Sequence, residues 1–379
     1  MNTLLKEGDI SSIRILGFGL MRLPKLEDGS MDIEQIKQMV DLFLSNGFTY
    51  FDTAYVYDGG KSEEAARDAL VRRHPRNSFQ LATKLNARAA ANREDAERQL
   101  FTSLERTEAG CFDFYLLHAV GAGNLPMYNE YGIWDFAAKM QAEGLIRHWG
   151  FSFHDGPELL DKLLKDHPEA EFVQLQLNYA DWEDSRVASR RCYEVARSHG
   201  KPVVVMEPVK GGILANPPKR VLDVLTAAEP ESTPASWAIR FAASHEGILT
   251  VLSGMSSLEQ MKDNLATMSG FDGLTEAQKD TVEQARQALL SVEGISCTGC
   301  RYCVDGCPMN IPIPGIFSAM NQQLIFENPD AARRRYQFTV RERGRATDCI
   351  ACGQCESACP QQLPVIRLLK DCAKALEEN

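Results

Sequence analysis

Eight times between residues 13 and 268, a short apolar run gives way to a segment with helical spacing. The strand-like runs cover residues 13–21, 48–52, 79–83, 112–117, 147–151, 172–177, 202–206 and 248–252. The helix-like segments cover 33–43, 65–70, 93–105, 134–142, 157–165, 185–198, 235–243 and 258–268. Short apolar runs read as buried strands, and apolar residues three and four apart, such as Ile33, Ile36, Met39, Val40 and Phe43, read as one helix face. Regular alternation of the two implies a parallel sheet. Eight units imply closure into an α/β fold of the (β/α)8 TIM-barrel type. A doubly wound open sheet also alternates, but it normally carries a Gly-rich dinucleotide fingerprint after its first strand. None stands there. The chain has 379 residues, so a barrel of about 250 leaves room for an appendage.

Barrels of this kind keep their chemistry at the C-terminal strand ends. Three successive units end on a polar residue: Asp52 after Tyr50-Phe51, Lys84 after Leu81-Ala82-Thr83, and His118 after Tyr115-Leu116-Leu117. Tyr57 follows Asp52 in the loop, before the turn signal Asp58-Gly59-Gly60. Ser62 reads as the N-cap of the next helix, with Glu63 and Glu64 in its first turn.

The stretch from Asp52 to Tyr57 resembles the aldo/keto reductases. In that family the Asp and the final Tyr of a D-T-A-x-x-Y motif belong to a tetrad completed by a Lys and a His. Asp52 and Tyr57 fit the spacing and Tyr55 does not. The resemblance covers about residues 10 to 270 and implies a catalytic tetrad of Asp52, Tyr57, Lys84 and His118. It implies interconversion of a carbonyl (aldehyde, ketone or sugar) and an alcohol with NAD(P)H. Hydride addition to a carbonyl leaves negative charge on oxygen, so a proton donor must stand ready. A phenol with a pKa of about 10 holds its proton tightly, and a neighbouring ammonium favours the phenolate. Lys84 is expected to lower the Tyr57 pKa, Asp52 to hold Lys84, and His118 to donate a hydrogen bond to the carbonyl oxygen.

The same resemblance implies the nicotinamide contacts. Gly150-Phe151-Ser152-Phe153 keeps the Ser of a G-x-S-N motif and replaces its Asn. Gln174 matches the family Gln, and Met206 stands where many members carry a stacking Tyr. Ser253, Gly254 and Met255 precede a helix whose N-terminus suits an adenosine phosphate. Gly254 and Gln260 occupy positions that are often basic in NADPH-preferring members, and Asn264 is family-typical. The resemblance favours NADP and leaves NAD open.

Nine of the eleven cysteines lie after residue 296. A secreted disulfide scaffold is short and dense in cysteine throughout, so this clustering points to metal. Cys297, Cys300, Cys303 and Cys307-Pro308 form C-x2-C-x2-C-x3-C-P, and Cys349, Cys352, Cys355 and Cys359-Pro360 repeat it. This is the bacterial ferredoxin run for [4Fe–4S] clusters. Zinc sites use spaced pairs, which fit the run less well. In two-cluster ferredoxins the fourth cysteine crosses over. One cluster is then expected on Cys297, Cys300, Cys303 and Cys359, the other on Cys349, Cys352, Cys355 and Cys307. Cys372 is left over, and Cys111 and Cys192 read as core thiols.

The expected organisation is a barrel over 1–272, a linking helix over 273–293, and a mainly helical ferredoxin-like domain over 294–379, with helices at 316–326 and 329–340. Net charge is -11, which argues against nucleic acid as a partner. No apolar run reaches membrane-spanning length and no signal peptide is evident, so a cytoplasmic protein is expected. Between Arg333 and Arg345 six arginines accompany one acid, Glu342, a basic face suited to a ferredoxin or flavodoxin electron carrier. Two functions follow: a carbonyl–alcohol oxidoreductase, or an electron-transfer subunit whose barrel only binds nucleotide. Residues 119–133 and 211–234 carry no motif that names a substrate.

Overall fold

The computed structural model describes residues 13–378 apart from positions 186, 293, 298, 300 and 360. The chain divides into two compact units. One runs to Gly211 and resumes over Ala235–Glu276; the other joins Gly212–Pro234 to the chain after Ala277.

The first unit is the barrel. Its strands are β1 (Leu16–Gly19), β2 (Tyr50–Asp52), β3 (Gln80–Leu85), β4 (Phe112–Val120), β5 (Ile146–Phe153), β6 (Phe172–Gln176), β7 (Val203–Met206) and β8 (Ile248–Ser253). They close in sequence order, all neighbours parallel, with β8 pairing back to β1. Side chains alternate across each strand. Tyr50, Ala82, Phe114, Leu116, Phe172 and Val204 fill the barrel interior. The intervening residues face the helical layer, where Phe51 meets Phe43 edge-on at 5.2 Å. At Gly150 a Cβ would come within 2.2 Å of the Phe172 carbonyl oxygen, so only glycine lets β5 and β6 approach there.

The helix after β2 differs from expectation. It spans Lys61–Ala66 with Gly60, not Ser62, as N-cap. Gly60 has a φ of +95°, open to glycine at little cost. Ser62 turns inward instead, fully buried, sharing a hydrogen bond with Thr53 and donating to the Leu20 carbonyl. The helix expected from residue 185 begins at Ser189.

The second unit is helical. Its main helices are Lys219–Ala228, Glu276–Leu290, Ile313–Phe326, Pro329–Val340 and Val365–Leu376. Ile313, Ile316, Phe317, Tyr336, Val365 and Leu369 form its core. Cys372 packs among them, and burial pushes its thiol up to about 12. Residues 212–234 connect β7 to β8 yet pack in this unit. Arg220 fastens them there: Nε donates to the Ala288 carbonyl at 2.9 Å, and the guanidinium also meets the Ile325 carbonyl and Glu327. Among the described residues, no helix is long and apolar enough to cross a membrane.

Candidate functional site

The two-residue period of the strands places Asp52, Lys84 and His118 on the interior face, in line with Tyr50, Ala82 and Leu116. Register then staggers them. Asp52 pairs with Ala82, and Lys84 with Leu116, so each polar residue lies one inward step beyond its neighbour's partner. All three reach the C-terminal mouth.

Lys84 is the hub. Its Nζ donates to an Asp52 carboxylate oxygen, to the Thr53 carbonyl at 2.7 Å and to the Tyr57 hydroxyl at 3.2 Å. An ammonium has three donors, and all three are used. Lys84 and Asp52 are both buried. The Tyr57 ring stands edge-on to His118, centroids 5.6 Å apart.

Burial opposes the Lys84 ammonium, but Asp52 and Tyr57 outweigh it and hold its pKa above the ordinary value. Burial also lifts Asp52 above the usual carboxylate range, with Lys84 pulling the other way. For Tyr57 the net direction reverses the sequence expectation. Burial raises its pKa, Lys84 only partly offsets this, and the charges of Asp52 and Glu207 add to the rise. The phenol therefore keeps its proton at neutral pH. Burial, then Lys84 and His154, push the His118 imidazole down to about 3. A neutral ring with one N–H results, suited to donating a hydrogen bond.

A second set of buried polar groups holds this arrangement from behind. Thr83 donates to Glu63 at 2.7 Å, and Arg106 pairs with the other Glu63 oxygen at 3.0 Å. Arg106 also donates to the Tyr55 carbonyl at 3.0 Å and stacks over the Tyr55 ring. Glu63 is fully buried, although its position in sequence reads as an exposed first-turn acid. Nothing local marks Thr83 and Arg106 as its partners. Glu207 is a second residue without a sequence signal. It follows Met206 at a φ of +57°, and Arg22 lies 3.6 Å away.

The nicotinamide candidates lie on the next strands of the same mouth. Ser152 and Gln174 are paired across β5 and β6, both buried, and Met206 ends β7 opposite Gln176. The Ser152 hydroxyl accepts from the Ala119 amide at 2.7 Å. The Gln174 side-chain carbonyl is buried without a hydrogen-bond partner. A buried acceptor left open in this way fits the amide of a nicotinamide carboxamide. Ser253 accepts from Asn264 at 2.8 Å, tying β8 to the helix Leu258–Met268. Met255 is buried and Gly254 exposed. Gln260 turns back to accept from the Ser256 amide at 2.8 Å, which closes the loop at the helix start.

The cysteines of the second unit gather in two places. One cavity, with about 340 Å³ of free space including its mouth, is lined by Cys297, Cys303 and Cys359 together with Ile313, Phe317 and Val365. Cys300 and Pro360 lie outside the described residues. The other, with about 320 Å³ of free space including its mouth, is lined by Cys307, Cys349, Cys352 and Cys355 with Ile311, Ile350 and Leu369. Thiol sulfurs in an apolar setting suit an iron–sulfur cluster better than a hard cation. Cys192 is buried in the barrel unit, its thiol raised to about 11 by burial.

Comparison with known proteins agrees with both halves. The 4Fe-4S dicluster domain family matches residues 296–363. The chain is 23% identical over 290 residues to "Uncharacterized oxidoreductase YqkF" of Bacillus subtilis, covering 68% of this chain and 87% of that protein. Among solved structures it is similar to the holo form of an aldo-keto reductase from Bacillus halodurans, with a TM-score of 0.60 and 22% identity over 73% of this chain and 93% of the other. It is also similar to an aldo-keto reductase from Klebsiella pneumoniae in complex with NADPH, with a TM-score of 0.58 and 21% identity over 72% and 90%. The family model of the aldo/keto reductases runs from residue 15, ahead of the first strand, to residue 287, past the last barrel helix, and by that match the chain belongs to the aldo/keto reductase family.

Proposed function

We propose that the barrel reduces a small aldehyde, ketone or sugar to its alcohol, and runs the reverse oxidation, through Asp52, Tyr57, Lys84 and His118. The carrying observation is the position of Lys84, whose Nζ bonds Asp52 and reaches the Tyr57 hydroxyl at 3.2 Å. NADPH, as in the Klebsiella pneumoniae neighbour, supplies the hydride when bound. Ser152 and Gln174 would hold its carboxamide, Met206 would pack against its ring, and Ser253, Gly254, Met255, Gln260 and Asn264 would line its phosphate end.

The chain's own part is proton handling and orientation. His118, neutral, donates from its ring N–H to the substrate carbonyl oxygen and fixes its direction. Tyr57 delivers its proton to that oxygen as charge develops there. The Lys84 cation stabilises the phenolate left behind, and Asp52 keeps Lys84 charged and in place.

The second unit is proposed to carry two [4Fe–4S] clusters, one on Cys297, Cys300, Cys303 and Cys359, the other on Cys307, Cys349, Cys352 and Cys355. The two cavities and their cysteine linings support this division. Such clusters pass single electrons and nicotinamide a hydride, so the two chemistries stay distinct in this reading. A ferredoxin or flavodoxin is the proposed partner, in a cytoplasmic setting where thiols stay reduced.

The test is anaerobic NADPH consumption by the purified protein over a panel of aldehydes, ketones and sugars, with iron and sulfide analysis of the same sample. Turnover on at least one carbonyl, with roughly eight irons per chain as two four-iron clusters require, supports the reading. Tight NADPH binding without turnover on any of them would favour a nucleotide-binding electron-transfer subunit.

A further inference from the structure

One exposed stretch of the helical unit concentrates arginines that, among the described residues, have no acid partner. Several exposed arginines on the barrel helices are paired: Arg93 with Glu97 at 2.7 Å, Arg98 with Glu94 at 3.0 Å, Arg190 with Glu194 at 2.8 Å. Arg333, Arg334, Arg335, Arg341 and Arg343 are all exposed. Among the described residues none of these five has an acid partner; Arg345, paired with Glu377, is the sixth arginine of the run. Glu342 is the one acid between them. Unpaired positive charge on a chain of net charge -11 is a local field of the opposite sign to the whole.

An apolar surface accompanies it. Phe338 is 77% exposed, Ile350 60% and Met309 38%. Arg334 and Phe338 stand four residues apart on one face of the helix Pro329–Val340, and Arg341 is its C-cap. The chain after that helix is pressed onto the cavity rim: Gly344 donates to the Asn310 carbonyl at 3.2 Å, and a Cβ on it would come within 2.1 Å of the Met309 carbonyl oxygen. Gly344, the neighbour of Arg343 in sequence, thus packs against the Met309 backbone. Met309 and Ile350 both line the cavity of Cys307, Cys349, Cys352 and Cys355. Cys352 is exposed, while Cys355 of the same cavity is buried, as is Cys303 of the other.

We propose that this part of the helical unit, with its unpaired Arg334, Arg341 and Arg343 and its exposed Phe338, Met309 and Ile350, docks a small acidic one-electron carrier protein and is where electrons enter or leave the chain. The proposal rests on the reading that the second cysteine set holds a cluster. In the entering direction the docked carrier is oxidised by one electron and the adjacent cluster is reduced by one. Positive charge attracts and orients the acidic partner, while the exposed apolar side chains exclude water from the contact.

The test uses the full-length, anaerobically prepared protein and a purified small acidic [2Fe–2S] ferredoxin as probe, with binding measured by calorimetry. Affinity should fall as salt rises from about 50 to about 500 mM, because exposed charges are screened. Replacing Arg341→Glu with Arg343→Glu should weaken binding by roughly tenfold or more at low salt, and Phe338→Ala by several-fold, with iron content unchanged. The paired change Arg93→Glu with Arg98→Glu, on the barrel, should leave binding as it was. Full iron content with no ferredoxin binding, or equal binding by the Arg341/Arg343 variant, overturns the docking surface and leaves the cluster reading intact. Zinc or no metal in protein made under iron-replete anaerobic conditions overturns the cluster reading, and the electron entry with it.

Discussion

The Lys84 ammonium donates to the Tyr57 hydroxyl across 27 residues of sequence, at 3.2 Å. The same nitrogen bonds the Asp52 carboxylate. A buried cation held by a carboxylate and pointed at a phenol is an arrangement for steering a proton. The net effect of burial is to keep that proton on Tyr57 at neutral pH.

Lys84→Met removes the cation and the donor to Tyr57 while nearly preserving side-chain volume. Reduction should fall by about 10²–10⁴-fold, the usual worth of general acid–base catalysis, and nicotinamide binding should change little. Stopped-flow NADPH oxidation with fluorescence titration of the cofactor separates the two effects. Loss of cofactor affinity with unchanged turnover would assign Lys84 to binding instead.

His118 has a depressed pKa, about 3 in the folded chain against an ordinary 6.5. Its contribution to stability is therefore complete above pH 6.5 and is lost as pH falls toward 3, because the unfolded chain binds the proton first. His118→Gln should flatten part of the acid limb of stability in that window, read by denaturant titration at stepped pH. The rate profile should show no inflection from this ring between about pH 5 and 8.

Arg106→Met leaves the fully buried Glu63 carboxylate without its cation. Removing one partner of a buried pair costs about 3–5 kcal/mol, so a clear fall in thermal midpoint is expected by calorimetry. Replacing Glu63→Gln together with Arg106→Met should recover much of that loss, since no unpaired charge then remains.

Residues 212–234 should become sensitive to protease when Arg220 is replaced by Ala. The change removes the bonds to Ala288, Ile325 and Glu327 that fasten this segment within the second unit. Limited proteolysis followed by mass spectrometry locates the cut. Cleavage elsewhere, with 212–234 still protected, would mean that the remaining contacts suffice.

Much of the barrel was legible because its signals are local. A polar residue that follows an apolar run, as Asp52, Lys84 and His118 do, declares the C-terminal part of a strand and, through the two-residue period, the inward face, although β3 runs on to Leu85 and β4 to Val120. The cysteine runs were legible for a similar reason, since ligand spacing is written within twelve residues. What could not be read depends on long-range partners. Ser62 fits an N-cap by its neighbours, but Thr53 and Leu20 draw it into the core. Glu63 looks like a solvated first-turn acid until Thr83 and Arg106 surround it. Residues 212–234 show no motif, and their attachment rests on an arginine whose partner Ile325 lies 105 residues away. The direction of the Tyr57 shift was missed because burial, which the sequence does not display, outweighs the neighbouring charge of Lys84.

The central claim is that Tyr57 gives its proton to the substrate oxygen. Single-turnover reduction of an accepted carbonyl by Tyr57→Phe, beside wild type and at saturating NADPH, tests it most directly. The account predicts a rate lower by about 10²–10⁴-fold, with the cofactor dissociation constant within about twofold of wild type. An unchanged rate would contradict it and remove Tyr57 from the chemistry.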